Sequence, residues 1–413
     1  MYDFIQMGVA TGEILLPRPD IAPDRWAVIA CDQFTSEPQY WHEVQRHVAG
    51  SPSMLNVIYP ECFLSEGESR IEPIKAHMHE YLQHHLQPSH DGFILVERQT
   101  TAGARLGLLM MVDLEQYDFS PNSHSLIRPT EQTVPDRIPP RVKIRKGAPL
   151  ESPHVMLLID DPRKLLIEPA YAARDRFKLL YDFDLMLGGG HIRGWALDEG
   201  AMSDARGALS DLYDRCDGLL FAVGDGNHSL ATARQCWLDM KDALSESEKA
   251  CHPARFALVE VCNLYDPALV FEPIHRAVFG ASSAQLSHDF VMWCRKKSMS
   301  LTAASDERAH MYLLGAPVSI ENSINPLPIA VLQAFLDEWC AEHPETTLDY
   351  IHGDDALDAL GARGACCIKL RAMNKVSLFP AIRTSGALPR KTFSLGEARD
   401  KRYYLECRAL ISQ

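Results

Sequence analysis

The six residues 224–229, Gly-Asp-Gly-Asn-His-Ser, are of the types that bind phosphate and move protons. Asp225 can hold a magnesium ion or accept a substrate proton, and Asn227 can orient a phosphate or a hydroxyl. His228 can donate to a phosphate or transfer a proton, because imidazole titrates near neutral pH. The stretch therefore predicts a phosphate site with acid–base groups beside it. The alternative is a tight turn in which Asp and Asn cap local N–H groups.

A strand and a helix must position these groups. The apolar residues 218–223 predict a buried strand that ends at the turn, and a helix is predicted to begin at His228 or Ser229. Its apolar face has residues spaced three, four and three apart: Leu230, Ala233, Trp237 and Met240. Gly224 and Gly226 allow a sharp turn and close approach of a ligand, and a helix start offers unpaired N–H groups and a positive dipole end. Together these features predict an anion site, most simply for a phosphate.

Other motifs are weaker. The turn matches neither G-x-x-x-x-G-K-S/T nor G-x-G-x-x-G, so neither a Walker-type nor a Rossmann site is indicated. A hydrolase using His228 with Asp225 lacks the G-x-S-x-G nucleophile motif. A second glycine loop, residues 188–195, has His191 and Arg193 at its exit and fits either a helix C-terminal cap or a functional loop. Histidines cluster between residues 77 and 85 without a zinc-site spacing, which favours a solvated helix face.

The composition is that of a globular protein large enough for two domains. The chain has 413 residues, 46% of them hydrophobic, and a net charge of −14. This acidic balance argues against nucleic acid as a partner, because such binding depends on neutralising phosphates. No signal peptide or membrane helix is expected, and the 11 cysteines form no C-x-x-C pair, so we expect a cytoplasmic protein without a membrane partner. The oligomeric state is left open.

The predicted fold class is α/β, a mixed α+β arrangement of mixed sheets with flanking helices in two domains. Residues 1–115 form the predicted N-terminal α/β region and include a β-hairpin over 91–115. Residues 116–154 are rich in proline and carry seven basic side chains from His124 to Lys146, which indicates either a linker or a ligand-facing loop. Residues 155–413 form the predicted C-terminal α/β region, in which 169–187 reads as a helix stopped by glycines.

Several motifs together resemble one large bacterial and archaeal family, known as domain of unknown function 1015. The resemblance runs from about Ile14 to Cys407 and rests on five stretches in the same order: WAVIACDQFTSEPQYW, RPTEQTVPDR, FAVGDGNHSLATA, FEPIHR and RKTFSLGEA. The family's central motif is commonly Asp-Gly-His-His-Arg, whereas this chain has Asn227 and Ser229 in place of the first histidine and the arginine.

The resemblance implies further site residues. The acidic residue of the N-terminal loop corresponds to Asp32, and the family's His-Glu pair corresponds to Thr130 and Glu131, with Arg137 following. Either Glu131 or Asp32 is then a candidate general base, with His228 as the third candidate catalytic residue. The implied phosphate or nucleotide site combines the turn with three more residues: Gly224, Asp225, Gly226, Asn227, His228, Ser229, His275, Arg276 and Lys391.

The central motif also resembles one in the ParB and sulfiredoxin superfamily, which includes an archaeal free-serine kinase. That resemblance implies ATP or ADP with magnesium as the cofactor, with Asp225 holding the metal. The function it implies is a small-molecule kinase or phosphotransferase that acts on a hydroxylated metabolite such as serine. The alternative from the same residues is a nucleotide-responsive binding or regulatory protein without turnover.

Overall fold

The computed structural model of the protein describes residues 1–121, 123–323 and 327–411, and the side chain of Arg137 lies outside the described part. The strands are β1 Val9–Ala10, β2 Glu13–Pro17, β3 Val28–Ile29, β4 Leu86–Asp91, β5 Ile94–Thr100, β6 Gly103–Asp113, β7 Ile127–Pro129, β8 Leu150–Glu151, β9 Met156–Ile159, β10 Lys178–Asp184, β11 His191–Ala196, β12 Phe221–Asp225, β13 Phe256–Asn263, β14 Phe271–Phe279, β15 Ser300–Ala303, β16 Met311–Leu313, β17 Ala316–Glu321, β18 Thr347–His352, β19 Cys366–Leu370, β20 Phe393–Leu395, β21 Tyr403–Tyr404 and β22 Arg408–Ala409. The α-helices are α1 Pro23–Trp26, α2 Pro38–Val48, α3 Ile71–His84, α4 Ile138–Arg145, α5 Glu168–Ala172, α6 Glu199–Arg215, α7 Asn227–Lys241, α8 Glu246–Cys251, α9 Ser283–Lys296, α10 Pro328–Glu342, α11 Asp354–Gly361 and α12 Leu378–Ser385.

The fold is mixed α+β and divides into two compact units. Unit 1 comprises residues 1–129, 133–270 and 396–413, and unit 2 comprises residues 130–132 and 271–395. This division differs from the one expected at residues 116–154. Strands from both sides of that segment share one sheet, in which β6 pairs with β13 along six residue pairs. Long-range strand pairing of this kind leaves no mark in the local composition of the chain.

Unit 1 is built on a mixed sheet with the strand order β10-β11-β5-β6-β13-β9-β12-β7, to which β1 is added beside β6. Both faces of the sheet are covered. Alternate residues of β5 and β6 pack against α2 and α3 on one face and against α6 and α7 on the other. Side chains alternate between the faces of a strand, so strands buried on both faces read as continuous apolar runs.

Unit 2 has a smaller sheet with the strand order β15-β17-β16-β19-β14-β18, and β20 pairs with the first residues of β14. Helices α9 and α10 pack together through Phe290 and Phe335, whose ring centroids are 4.7 Å apart. The segment 130–132 joins this unit through a bridge between Glu131 and Leu388. Across the described part of the chain, no helix is both long and apolar enough to span a bilayer.

A strand, a turn and a helix form around residue 225, but the strand continues through Gly224, which was predicted to lie in the turn. Strand β12 ends at Asp225, and α7 begins at Asn227 directly after Gly226. The predicted apolar face of α7 is buried at Leu230, Ala233 and Trp237. The hairpin predicted over 91–115 is also present, as β5 and β6.

The helix predicted over residues 169–187 forms only in its first part, as α5 and a 3-10 turn at Arg174–Arg176, and the prediction is wrong from Lys178 onward. The second glycine loop is not a helix cap. Residues 178–196 form the hairpin β10–β11, and Gly188 and Gly190 adopt the positive φ values of its turn. Tyr181 lies opposite Gly194, where an added Cβ would come within 2.1 Å of the Tyr181 ring. The phenol of Tyr181 is buried and donates to Glu406. These tertiary contacts override a local pattern that also fits a helix.

Three of the basic side chains within 124–146 form ion pairs inside unit 1. The last part of this stretch is α4, and the side chains of Arg141, Lys143 and Arg145 pair with carboxylates. Those carboxylates are Glu61, Glu68 and Glu151. Glu61 and Glu68 lie 80 and 75 residues from their partners, so sequence proximity does not reveal these two pairs.

Candidate functional site

The turn between β12 and α7 is shaped by Gly226. Its φ of +80° lies in the left-handed region, and an added Cβ would come within 3.0 Å of the Val155 backbone. Only glycine fits such a position without strain. Gly226 is the N-cap of α7 and provides no side-chain cap, while its own N–H donates to Oδ1 of Asp225 at 2.9 Å. A helix of 15 residues thus begins at a turn without a capping side chain, which suits an anion.

Two polar side chains follow in the first turn of α7. Oδ1 of Asn227 is shielded from solvent and has no hydrogen-bond partner among the described residues. Nε2 of His228 accepts a hydrogen bond from the Val134 N–H at 3.2 Å, so the neutral ring carries its proton on Nδ1. A shielded polar atom without a partner is uncommon in a native protein and suggests a missing ligand.

Lys401 forms an ion pair with Asp225, and its charge also acts on Asp32. Its Nζ atom is 3.3 Å from Oδ2 of Asp225, and its side chain is only 12% exposed. Burial raises the pKa of Asp32, but the charge of His154, a hydrogen bond from Gln33 and the charge of Lys401 outweigh it and hold the pKa below its usual value. Asp32 is therefore ionised at neutral pH. The charge of one ammonium group thus acts on both Asp225 and Asp32.

His154 belongs to the same cluster. Its Nδ1 atom is 2.8 Å from the Tyr404 hydroxyl, which is itself 3.1 Å from Sγ of Cys31. Burial raises the pKa of the Cys31 thiol to about 12 and raises that of the Tyr404 phenol well above its usual value. Both groups stay protonated at neutral pH, so they orient His154 and the loop that carries Asp32 and do not react themselves.

The segment that carries Lys401 is fixed by buried cations. Arg98, which is 2% exposed, donates to the carbonyl oxygens of Gly189, Arg399 and Lys401. Asp400 accepts hydrogen bonds from the N–H and the hydroxyl of Thr101. The position of Lys401 is therefore set by the rigid hairpin of β5 and β6, and a rigid support of this kind preorganises a site.

Glu131 lies in unit 2, where main-chain N–H groups occupy both of its oxygens. Oε2 accepts from Lys391 at 2.9 Å, and Oε1 accepts from Thr392 at 2.9 Å and from Phe393 at 3.4 Å. Burial raises the pKa of Glu131, and the three N–H groups partly oppose that rise. In this arrangement Glu131 anchors the start of β20. Its predicted role as a general base stays a prediction.

Arg276 and His275 are also part of unit 2, and neither is exposed. The Arg276 guanidinium donates to Gln333 at 2.9 Å and to the carbonyl oxygen of Lys391 at 3.0 Å, and it stacks on the Tyr350 ring. Burial lowers its pKa to about 10, so it remains charged. These contacts direct Arg276 toward the main chain, whereas the side chain of Lys391 is exposed.

His275 is held at both ring nitrogens. Nδ1 accepts from the Leu370 N–H at 3.1 Å, and Nε2 lies 3.0 Å from Oδ1 of Asp354. Burial lowers the pKa of His275, and Asp354 partly opposes that shift. Of the four predicted residues of unit 2, Glu131 and Arg276 thus contact the segment that carries Lys391, whereas His275 contacts Leu370 and Asp354. The rest of the predicted set belongs to unit 1.

A metal ion bound at the α7 turn would have few protein ligands. No three or more His, Cys, Asp or Glu side chains gather to hold a metal within the described ranges. Of the histidines between 77 and 85, His79 and His84 are exposed on α3, as predicted for a solvated face. Asp225 alone can supply a carboxylate at the α7 turn, and this fits magnesium, which often binds through one carboxylate together with phosphate oxygens and water.

Sequence reasoning missed Lys401, His154 and Tyr404. Lys401 stands in a run of alternating charges, ARDKR, where nothing distinguishes it from a surface lysine. His154 had one usable signal, because it directly precedes a buried strand at the end of a proline-rich segment. Tyr404 belongs to a two-residue strand that pairs with β3 at the far end of the sequence, so its proximity to Cys31 follows only from the fold.

The sequence matches one known protein family. Residues 15–338 match the family described as a protein of unknown function, DUF1015. No match was found among curated proteins.

Solved structures give only distant likenesses. A conserved hypothetical protein from Pyrococcus furiosus has 12% identity and a TM-score of 0.37, with 73% of this chain and 94% of that chain covered. Free serine kinase in complex with AMP has 11% identity and a TM-score of 0.38, with 72% and 87% covered. SbnI from Staphylococcus aureus, truncated at its C-terminus, has 9% identity and a TM-score of 0.36, with 69% and 81% covered. At this level of similarity, neither a ligand nor an activity of these proteins can be inferred for this chain.

Proposed function

The chain belongs to the DUF1015 family of proteins of unknown function, and we propose that unit 1 binds the phosphate groups of ATP or ADP and transfers a phosphoryl group to a small hydroxylated metabolite. Serine is the first acceptor to try. The proposed site consists of the α7 turn, Lys401, Asp225 and Asp32.

One observation carries the proposal. The ammonium group of Lys401 is 3.3 Å from Asp225, and the uncapped start of α7 follows one residue later. The ammonium group of a lysine and the N-terminus of a helix both favour negative charge. Phosphate is a common ligand where the two occur together. The unpartnered Oδ1 of Asn227 in the same turn is an acceptor for a ligand hydroxyl or a metal-bound water.

The two carboxylates have separate roles in this proposal. Asp225 would hold magnesium, which supplies charge neutralisation on the phosphates when bound. Asp32, kept ionised beside His154 and Lys401, would accept the proton of the attacking hydroxyl. In that step the acceptor oxygen bonds to the terminal phosphorus, the bond from phosphorus to the leaving phosphate oxygen breaks, and the hydroxyl proton moves to Asp32.

The binding part is tested by thermal unfolding and calorimetric titration with ATP, ADP and inorganic phosphate, each with and without magnesium. A ligand at a hundred times its Kd should add about 2.7 kcal/mol to the free energy of unfolding. Asp225→Ala should abolish the rise in midpoint that the nucleotide produces. If no nucleotide or phosphate shifts the midpoint of the folded wild type, the site does not bind phosphate and the proposal fails.

The catalytic part is tested by product formation with serine and other small hydroxylated acceptors. Asp32→Asn should retain nucleotide binding and lose turnover, because the substitution removes the proton acceptor and keeps the size of the side chain. Nucleotide binding without turnover of any acceptor would leave the binding half of the proposal and replace the kinase with a nucleotide-responsive regulatory protein.

A further inference from the structure

A second group of polar side chains lies at the opposite end of β9. Strands β9 and β13 are parallel neighbours, and their ends meet at the pair Ile159 and Asn263. Asp161 follows β9, and Glu168 begins α5. His154 precedes the other end of β9, and a four-residue strand rises about 13 Å. The group formed by Asp161, Glu168 and Asn263 is therefore distinct from the α7 turn.

Asp161 is fully buried with one oxygen unsatisfied. It is 0% exposed, and its Oδ2 accepts from the Leu165 N–H at 2.6 Å and the Leu166 N–H at 3.1 Å. Its Oδ1 has no hydrogen-bond partner among the described residues. Leaving a carboxylate oxygen buried and unpaired costs free energy, because the water that solvated it is not replaced.

Glu168 is half-buried and also has one oxygen that the described residues leave without a partner. The amide nitrogen of Asn263 donates to Oε1 of Glu168 at 2.9 Å and to the main-chain oxygen of Asp161 at 3.0 Å. One amide therefore holds both acidic residues. Oε2 of Glu168 is shielded from solvent and also lacks a partner within the described ranges.

The partners of the two carboxylates are main-chain N–H groups and one amide, and in the described part of the chain no lysine, arginine or histidine pairs with either. Buried carboxylates elsewhere in unit 1 do have such pairs: Glu260 and Glu406 contact Arg402, and Asp113 contacts Arg255. Within the described structure, Asp161 and Glu168 each have an oxygen without a partner, and no cationic side chain pairs with them. Their negative charge therefore requires a positive charge from another source.

We propose that Asp161 and Glu168 bind a hard divalent cation, Mg²⁺ or Ca²⁺, at the ends of β9 and β13. Cysteine and histidine ligands are not part of the group, and oxygen-only donors select these cations over zinc or copper. Because the chain gathers no third acidic or imidazole ligand at any point that the structure describes, water and carbonyl oxygens complete the coordination, as both cations accept. The cation would fix the loop 160–168 to the end of β13.

The test is a titration of the chelator-treated full chain with CaCl₂ and with MgCl₂, followed by calorimetry and thermal unfolding. We expect one cation per chain and a higher unfolding midpoint. Glu168→Gln should weaken binding at least tenfold, since it removes one anionic ligand and keeps the Oε1 acceptor for Asn263. Glu199→Gln is the matched control, because Glu199 also begins a helix but is exposed, and it should bind as the wild type does.

Three results would overturn the proposal. The first is a folded wild type that shows neither heat nor a midpoint shift at millimolar concentrations of either cation. The second is cation binding that Glu168→Gln leaves intact and Asp225→Asn abolishes, which would place the cation at the α7 turn. The third is metal-free protein that becomes more stable from about pH 7 to about pH 5 without any cation response, which would identify a proton as the missing partner. The wild-type titration needs no variant to fold.

Discussion

Nζ of Lys401 lies 3.3 Å from Oδ2 of Asp225, and the same ammonium group helps to keep Asp32 ionised. These three residues come from segments that are far apart in the sequence. The buried guanidinium of Arg98 connects the Lys401 main chain to the β10–β11 turn. The charge at the α7 turn is therefore supplied by a C-terminal segment that folds back onto the central sheet of unit 1.

Lys401→Met should weaken the binding of ATP or ADP by roughly ten- to a hundredfold, because it removes a charge-assisted contact to phosphate. Lys391→Met is the control, since Lys391 was the lysine predicted from the sequence and its side chain is exposed in unit 2. Calorimetric titration of both variants measures the difference. If Lys391→Met weakens binding and Lys401→Met does not, the phosphate site has been assigned to the wrong lysine.

Asp32→Asn should lower the free energy of unfolding by about 1 kcal/mol at neutral pH, the size expected for a partly exposed carboxylate with charged neighbours. The pKa of Asp32 is lowered in the folded protein, so its contribution is present above the pKa of the unfolded chain. It is lost as the pH falls through the lowered folded-state pKa. Urea unfolding from neutral pH into acid should therefore show the two proteins converging in stability.

If the free energies of unfolding of wild type and Asp32→Asn differ by the same amount at every pH, the pKa of Asp32 is not lowered in the folded protein. Lys401→Met provides an internal check, because removing the ammonium group should move the pKa of Asp32 back toward its usual value. The convergence should then occur at higher pH in a Lys401→Met background.

Gly226→Ala should destabilise the protein by more than Gly147→Ala. Both glycines have a positive φ, +80° and +72°, and a left-handed conformation costs an alanine about 1–2 kcal/mol. Only at Gly226 would the new Cβ also meet a neighbour, the backbone of Val155 at 3.0 Å, while nothing lies within 4 Å at Gly147. Chemical unfolding gives the loss of stability in each variant, and the difference between the two losses is the cost of the contact with Val155. Equal losses of stability would mean that Val155 moves aside at no cost.

The strand, turn and helix at residue 225 could be predicted because their signals are local. An apolar run, two glycines and a three- to four-residue apolar spacing each reflect the backbone of one short segment. The hairpin of β5 and β6 was predictable for the same reason. The mixed α+β class followed from the alternation of such segments.

The hairpin of β10 and β11 could not be predicted in this way. Its register depends on Gly194 making room for Tyr181 and on Glu406 accepting the Tyr181 hydroxyl, and those residues are distant in sequence. The division into units shows the same limit, because pairing between β6 and β13 crosses the expected boundary. Within the site, Asp32 and Asp225 were predicted, whereas Lys401 and His154 reach them only through tertiary packing.

Glu131→Gln separates an anchoring role from a catalytic one. Oε2 of Glu131 accepts the Lys391 N–H at 2.9 Å, and an amide NH₂ in its place cannot accept that bond. If Glu131 anchors residues 391–393, the variant should lose about 1 kcal/mol of stability and bind nucleotide as the wild type does. If Glu131 is also the general base implied by the family resemblance, the variant should lose turnover in addition to this stability. Urea unfolding and product formation, measured beside Asp32→Asn, decide which carboxylate takes the proton.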